Sequence, residues 1–148
     1  MATMHHSTMV VLDAAPRPHQ RIWPLIAGVA LALHGAIHLM GFVVDWRLAQ
    51  LQMLPYRTTA LAGHLELGTA GTQILGVLWL LAVLGFLAVG AGLVWHGRPW
   101  GLPITGVALL SLILCILSWP DSAFGALIDV AIVAALARAA IMRSRHVA

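Results

Sequence analysis

Four long apolar runs, separated by polar breaks, organise the chain. They cover Trp23 to Val44, Ile74 to Trp95, Gly101 to Trp119 and Ala123 to Met142. Each is close to the about 20 residues that a helix needs to cross a hydrocarbon core of about 30 Å. None carries the broad charged face of a helix in water. Pro24 falls in the first turn of the first run, where its missing N–H costs nothing. The pattern predicts an all-α fold, an integral membrane four-helix bundle. Two of the breaks, His96 to Trp100 and Pro120 to Ser122, read as tight turns and make spans two, three and four antiparallel neighbours. The third, Asp45 to Gln73, is the one long connection, with turn and polar signals in Pro55-Tyr56-Arg57-Thr58-Thr59 and Gly63-His64-Leu65-Glu66-Leu67-Gly68.

Composition supports this. Of 148 residues, 61% are hydrophobic and 9% charged, against about 45–50% and about 25% in soluble domains. A soluble fold of this length could not hide so much apolar surface, so lipid must cover part of it. Residues 1–20 lack the basic-then-apolar design of a signal peptide and read as a disordered cytoplasmic tail, with 21–148 as the transmembrane domain. His5, His6 and His19 in that tail read as solvated. One cysteine, Cys115, excludes an internal disulfide framework and a Cys-based zinc site within one chain.

Arginine placement gives an orientation. Arg17, Arg21, Arg98, Arg138, Arg143 and Arg145 gather on one side, Arg47 and Arg57 on the other. The arginine-rich side should be cytoplasmic, with both termini inside and the 45–73 loop outside. Trp23, Trp95 and Trp100 then mark the inner boundary, and Trp46 and Trp119 the outer one. The net charge of +3 brings no basic run with interleaved aromatics, so nucleic acid is not an expected partner.

The few polar groups inside the spans carry whatever chemistry there is. His34 and His38 are four apart and share a helix face; Asp45 falls near the same face seven residues on. Together they form a stripe from mid-bilayer to the outer surface, flanked by Gly35 and Gly41, which let another helix approach closely. Asp129 lies about six residues past the outer turn, about 9 Å deep at a rise of about 1.5 Å per residue, and His38 is about as far below Asp45. The expectation is therefore a His38–Asp129 hydrogen bond, since ionisable groups at such depth pair or face a cavity. Ser111, Cys115 and Ser118 share a face of the third span and would complete the polar interior. Asp121 is expected to cap the fourth helix. Arg57 is expected at the surface, His64 and Glu66 as solvated or turn-forming groups.

A metal or haem site is the alternative. Two histidines at i, i+4 have ligand spacing, and imidazole suits Zn, Cu and Fe. Asp45, Asp129, His64 or Glu66 could add ligands, but spacing alone does not complete a set. No nucleophile–base–orienter set, phosphate loop or cofactor fingerprint is present, so the sequence supports no enzyme assignment.

The His-Gly-Ala-Ile-His-Leu-Met-Gly-Phe run, the Leu-Pro-Tyr-Arg-Thr-Thr segment and the Ser-Trp-Pro-Asp-Ser-Ala-Phe-Gly turn resemble a group of small four-helix bacterial membrane proteins. The resemblance covers roughly 22–140 and implies a protein of the bacterial cytoplasmic membrane; no activity comes with it. The expected function is non-enzymatic: His34, His38, Asp45, Asp129, Ser111 and Ser118 line a polar site for a lipid-like or small ligand, or for a partner subunit. A metal- or haem-binding redox component and an accessory subunit of a larger complex are the alternatives. Expected partners are membrane lipids and a partner membrane subunit or a second copy of the chain.

Overall fold

The computed structural model describes residues 18–96 and 101–145. Residues 1–17 of the expected tail, the His96–Trp100 turn beyond His96 and the last residues lie outside this range; residues 18–20, expected in the tail, belong to the first helix. The elements in chain order are α1 (Pro18–Ile37), α2 (Leu39–Asp45), a short hairpin of β1 (Thr59–Ala60) and β2 (Leu65–Glu66) joined by one 3-10 turn, α3 (Gly68–His96), α4 (Gly101–Leu117) and α5 (Ala123–Arg145). α1 and α2 together make one apolar stretch, Ile22–Asp45. It is interrupted at His38, where the bonds His38 N–H to Gly35 O and Gly41 N–H to His38 O, both 3.1 Å, replace the α-helical spacing with a tighter one. Three helical stretches, Ile22–Asp45, Gly68–His96 and Ala123–Arg145, are long and apolar enough to cross a membrane, which suggests a membrane protein.

α3 is the centre. The first span packs along it, α4 lies on another side, and α5 packs chiefly against α4. The seam between the first span and α3 is made by small residues. A Cβ on Gly28 would sit 2.7 Å from the Gly90 carbonyl oxygen, and one on Gly90 would sit 2.6 Å from the Gly28 carbonyl oxygen. The two backbones therefore touch. Further along, Gly35 faces Phe86, Gly41 faces the Trp79 ring, and Gly76 faces Asp45 and Trp46. Close approach through small residues is how helices associate where lipid removes the hydrophobic drive between them.

Burial is inverted relative to a protein in water. Leu33, Ile37, Ile74, Leu84, Leu127 and many other large apolar side chains are exposed, whereas His34, His38, Ser111, Thr72 and Asp129 are buried. The apolar interior forms two groups: Leu31, Phe86, Val89, Leu93, Ile104 and Ala108 at one end, and Leu75, Trp79, Ala82, Leu114, Cys115 and Ala126 at the other. Trp23, Trp46, Trp95 and Trp119 are exposed near helix ends, the positions an aromatic belt would take. Trp79 is buried.

Several expected boundaries move. α1 begins at Pro18 and not at Trp23, because Pro18 itself takes the first helical position, where a missing N–H is tolerated. Pro24 therefore lies inside the helix and not in its first turn. α5 runs on to Arg145. α3 begins at Gly68, so the long connection ends at Leu67 and not at Gln73. Residues 68–73 are rich in Gly and Thr and read as loop. Side-chain bonds override that: Glu66 Oε1 accepts the Gly68 N–H at 3.0 Å at the helix start, and the Thr72 hydroxyl bonds locally to Gly68 O and across to Arg57 O in the connection. α4 ends at Leu117 and not at Trp119, because the residue before a proline avoids helical geometry and Pro120 follows. The connection folds back over the end of the helices: Ala62 N–H donates to Trp119 O at 3.0 Å, and Arg57 pairs with Asp121 at 3.5 Å.

Candidate functional site

Four buried polar side chains come together: His34 on α1, His38 between α1 and α2, Ser111 on α4 and Asp129 on α5. His34 Nε2 stands 2.9 Å from Asp129 Oδ1. The Ser111 hydroxyl donates to Asp129 Oδ2 at 2.6 Å and stands 2.8 Å from His38 Nε2. The Cys115 thiol also points at Oδ2, at 3.7 Å. The donor count gives the tautomers for an ionised Asp129. Ser111 has one proton, and it goes to Asp129 Oδ2, so Ser111 Oγ accepts from His38 Nε2–H. Oδ1 of the ionised carboxylate then accepts from His34 Nε2–H. The result is a chain, His38 to Ser111 to Asp129, closed from the other side by His34.

Helix packing explains who meets whom. The expected His38–Asp129 bond is not formed. A Cβ on Gly125 would lie 3.9 Å from His38 Cε1, so Gly125 is level with His38. One helical turn on, Asp129 is level with His34, because the first span and α5 run in opposite directions. Counting depth from the two span ends missed this by one turn, since it ignored where each helix starts. His38 instead reaches Asp129 through Ser111, on α4.

Aromatic rings hold the imidazoles. Phe86 meets His34 edge-on at 5.0 Å between centroids, Trp79 lies tilted beside His38 at 5.0 Å, and the two imidazoles are 4.7 Å apart. Both aromatics come from α3 and face Gly35 and Gly41, so the glycine seam is what brings the rings against the histidines. The sequence signal for them was present in those glycines, but it did not say which face of α3 they would meet.

The remaining expected site residues are placed differently. Asp45 does not join the chain. It packs beside Gly76, and its Oδ2 is buried with no partner among the described residues. The reason is the tightening at His38, after which α2 no longer continues the phase of α1. Ser118 is half-buried and outside the network. Asp121 faces Arg57 and is not a helix cap. Ser122 accepts the first helical N–H, from Ala126, on its own carbonyl, and its hydroxyl turns back to Cys115 O at 2.8 Å. His64 and Glu66 are exposed, as expected.

A cavity of about 280 Å³ opens over this network. His34 and His38 form its floor, Trp79 and Leu75 part of its wall, and Arg57 and Asp121 its mouth under the folded-back connection. Asp45, Cys115 and Ser118 also line it. Two of its lining residues, His34 and Asp45, carry a buried polar atom without a partner among the described residues: Nδ1 and Oδ2. As for metals, His34, His38 and Asp129 each offer one ligand atom, all within 4.8 Å of one another. A haem fits poorly, because imidazoles 4.7 Å apart and tied into one hydrogen-bonded chain leave no slot for a macrocycle between them.

Comparison with known protein families, with curated proteins and with solved structures finds no match. The reading of this site therefore rests on its own chemistry.

Proposed function

We propose that this chain is a polytopic protein of the bacterial cytoplasmic membrane that binds a small, lipid-like molecule without transforming it. Both termini are cytoplasmic, and the cavity opens on the outer side. The arginine distribution supports that orientation. The observation that carries the proposal is the cavity itself: a mostly apolar chamber with two histidines at its floor and an ion pair at its mouth. Small-molecule sites are concave and largely apolar, with a few placed polar groups, and run from about 300 to about 1,000 Å³. This one is at the lower edge, so the guest is small or inserts only its head. His34 Nδ1 and Asp45 Oδ2, without a partner among the described residues, are two positions where a guest can hydrogen-bond, since buried polar groups normally have partners.

The His38–Ser111–Asp129–His34 chain keeps the floor rigid and keeps each imidazole in one tautomer. This is a positioning role. The test is native mass spectrometry of protein extracted gently from its membrane. The wild type should carry a small-molecule adduct. Ser118→Phe, which fills the chamber from its wall without touching the hydrogen-bonded chain, should lose it. An adduct retained in Ser118→Phe, or none in the wild type, defeats the proposal.

A further inference from the structure

The floor of the cavity has the makings of a metal centre. Three features coincide there. His34 and His38 present Nε2 atoms to one region, and Asp129 presents a carboxylate to the same region. The ligand atoms lie within 4.8 Å of one another. Ligands about 2.0–2.2 Å from a zinc ion stand about 3–4 Å from each other, so small side-chain rotations would close the set. All three residues are buried, with 7%, 5% and 0% of their surface exposed, so bulk water does not compete for the ion.

We propose that His34, His38 and Asp129 bind a divalent first-row transition ion, with Zn²⁺ as the natural occupant, and leave a fourth position open to the cavity. Two imidazoles and one carboxylate suit Zn²⁺. Three protein ligands with an open fourth is the arrangement of zinc sites that bind a further molecule; closed structural sites use four. Both histidines line the cavity, so a guest reaches the fourth position from there. On loading, the proton of each neutral imidazole moves from Nε2 to Nδ1, which frees both Nε2 lone pairs for the ion with no net loss of protons from the histidines. One carboxylate leaves the ion with a net positive charge in an apolar surrounding. The fourth ligand is therefore an anionic donor, such as hydroxide or the carboxylate head of a lipid-like guest. This deepens the reading of the cavity but does not require a guest, since the three protein ligands bind without one.

Cobalt titration tests it, with Co²⁺ as a coloured stand-in for Zn²⁺. The full chain is purified in detergent with His5, His6 and His19 replaced by Ala, so that those imidazoles do not compete. One equivalent of Co²⁺ should bind with the intense visible bands of a tetrahedral site, and Zn²⁺ should bleach them. His34→Ala, His38→Ala and Asp129→Asn should each weaken binding by more than about 100-fold, beyond the about 10–100-fold cost of losing an outer partner. His64→Ala, in the exposed loop, should change nothing. Asp129→Asn keeps the shape and an acceptor oxygen, so a folded, monodisperse Asn variant separates loss of the ligand from loss of the fold. Wild-type protein that takes up no stoichiometric Co²⁺ or Zn²⁺ overturns the proposal whatever the variants do, and so does binding that survives in His34→Ala/His38→Ala. Titrating Ser118→Phe separates this idea from guest binding: it keeps all three ligands, so it should still take up one equivalent of metal after losing the guest.

Discussion

His34 Nε2 and Asp129 Oδ1 stand 2.9 Å apart, although 95 positions separate them in the chain. This contact joins the first span to the last, two helices that otherwise pack mainly on α3 and α4. Hydrogen bonds between membrane helices average about 0.6 kcal/mol and reach about 1.7 kcal/mol. The His34–Asp129 contact should fall in the upper half of that range, because both partners are buried. A double-mutant cycle with His34→Ala and Asp129→Ala, read by reversible unfolding in bicelles, measures it.

The cycle between His38 and Asp129 should behave differently. These two do not touch; Ser111 stands between them, 2.8 Å from one and 2.6 Å from the other. Their coupling should be measurable in the wild type and vanish in a Ser111→Ala background. A coupling that persists without Ser111 would mean that the two are in direct contact.

Replacing Asp129 should be costly in a graded way. Asp129→Ala strips the acceptor from His34, Ser111 and Cys115 at once. Each buried donor left without a partner costs about 1–3 kcal/mol, so the variant should lose at least that much. Asp129→Asn retains one acceptor oxygen and should lose clearly less. Thermal unfolding of the two purified variants ranks them.

Alanine at glycine positions should separate the seam from the surface. Gly28→Ala places a Cβ 2.7 Å from a backbone oxygen of α3; backbone cannot move aside as a flexible side chain can, so the first span must shift away from α3 and stability must fall. At Gly106 a Cβ meets nothing within 4 Å. There the change should be neutral or gain up to about 1 kcal/mol from helix propensity.

Topology can be read chemically. In a Cys115→Ala background, Thr58→Cys in the folded-back connection should react with a membrane-impermeant maleimide on intact cells, and Ser144→Cys at the end of α5 should react only after lysis. The reverse pattern would turn the cavity toward the cytoplasm and remove the case for an outer-facing site.

The helical plan was written in the apolar runs, and so were the polar groups inside them, but not their partners: the expected His38–Asp129 bond gives way to His34–Asp129 and His38–Ser111. The register between the helices was not written there either. α3 is apolar on every side, so hydrophobic pattern could not show that Trp79 and Phe86, rather than Leu81 and Leu84, would face the first span. Gly35 and Gly41 marked where a helix could approach, but which side chains fill such gaps depends on the partner's rotation. The one-turn error at Asp129 has the same origin: depth along one helix says nothing of the offset between two. Asp45 was misplaced because a single tightened turn at His38 shifts the phase of everything after it. The cavity was beyond reach of sequence pattern altogether, since it is enclosed by the connection between α2 and α3, whose fold depends on Arg57–Asp121 and Ala62–Trp119 contacts with a distant turn.

Whether the chamber above His34 and His38 holds a guest is decided by a density map of the protein in lipid nanodiscs. Continuous non-protein density is expected between the Arg57–Asp121 pair and the two imidazoles, with a polar atom within hydrogen-bond or metal-ligand distance of the floor. A chamber closed by collapse of the 46–67 connection onto Trp79, or one containing only scattered water, would contradict it.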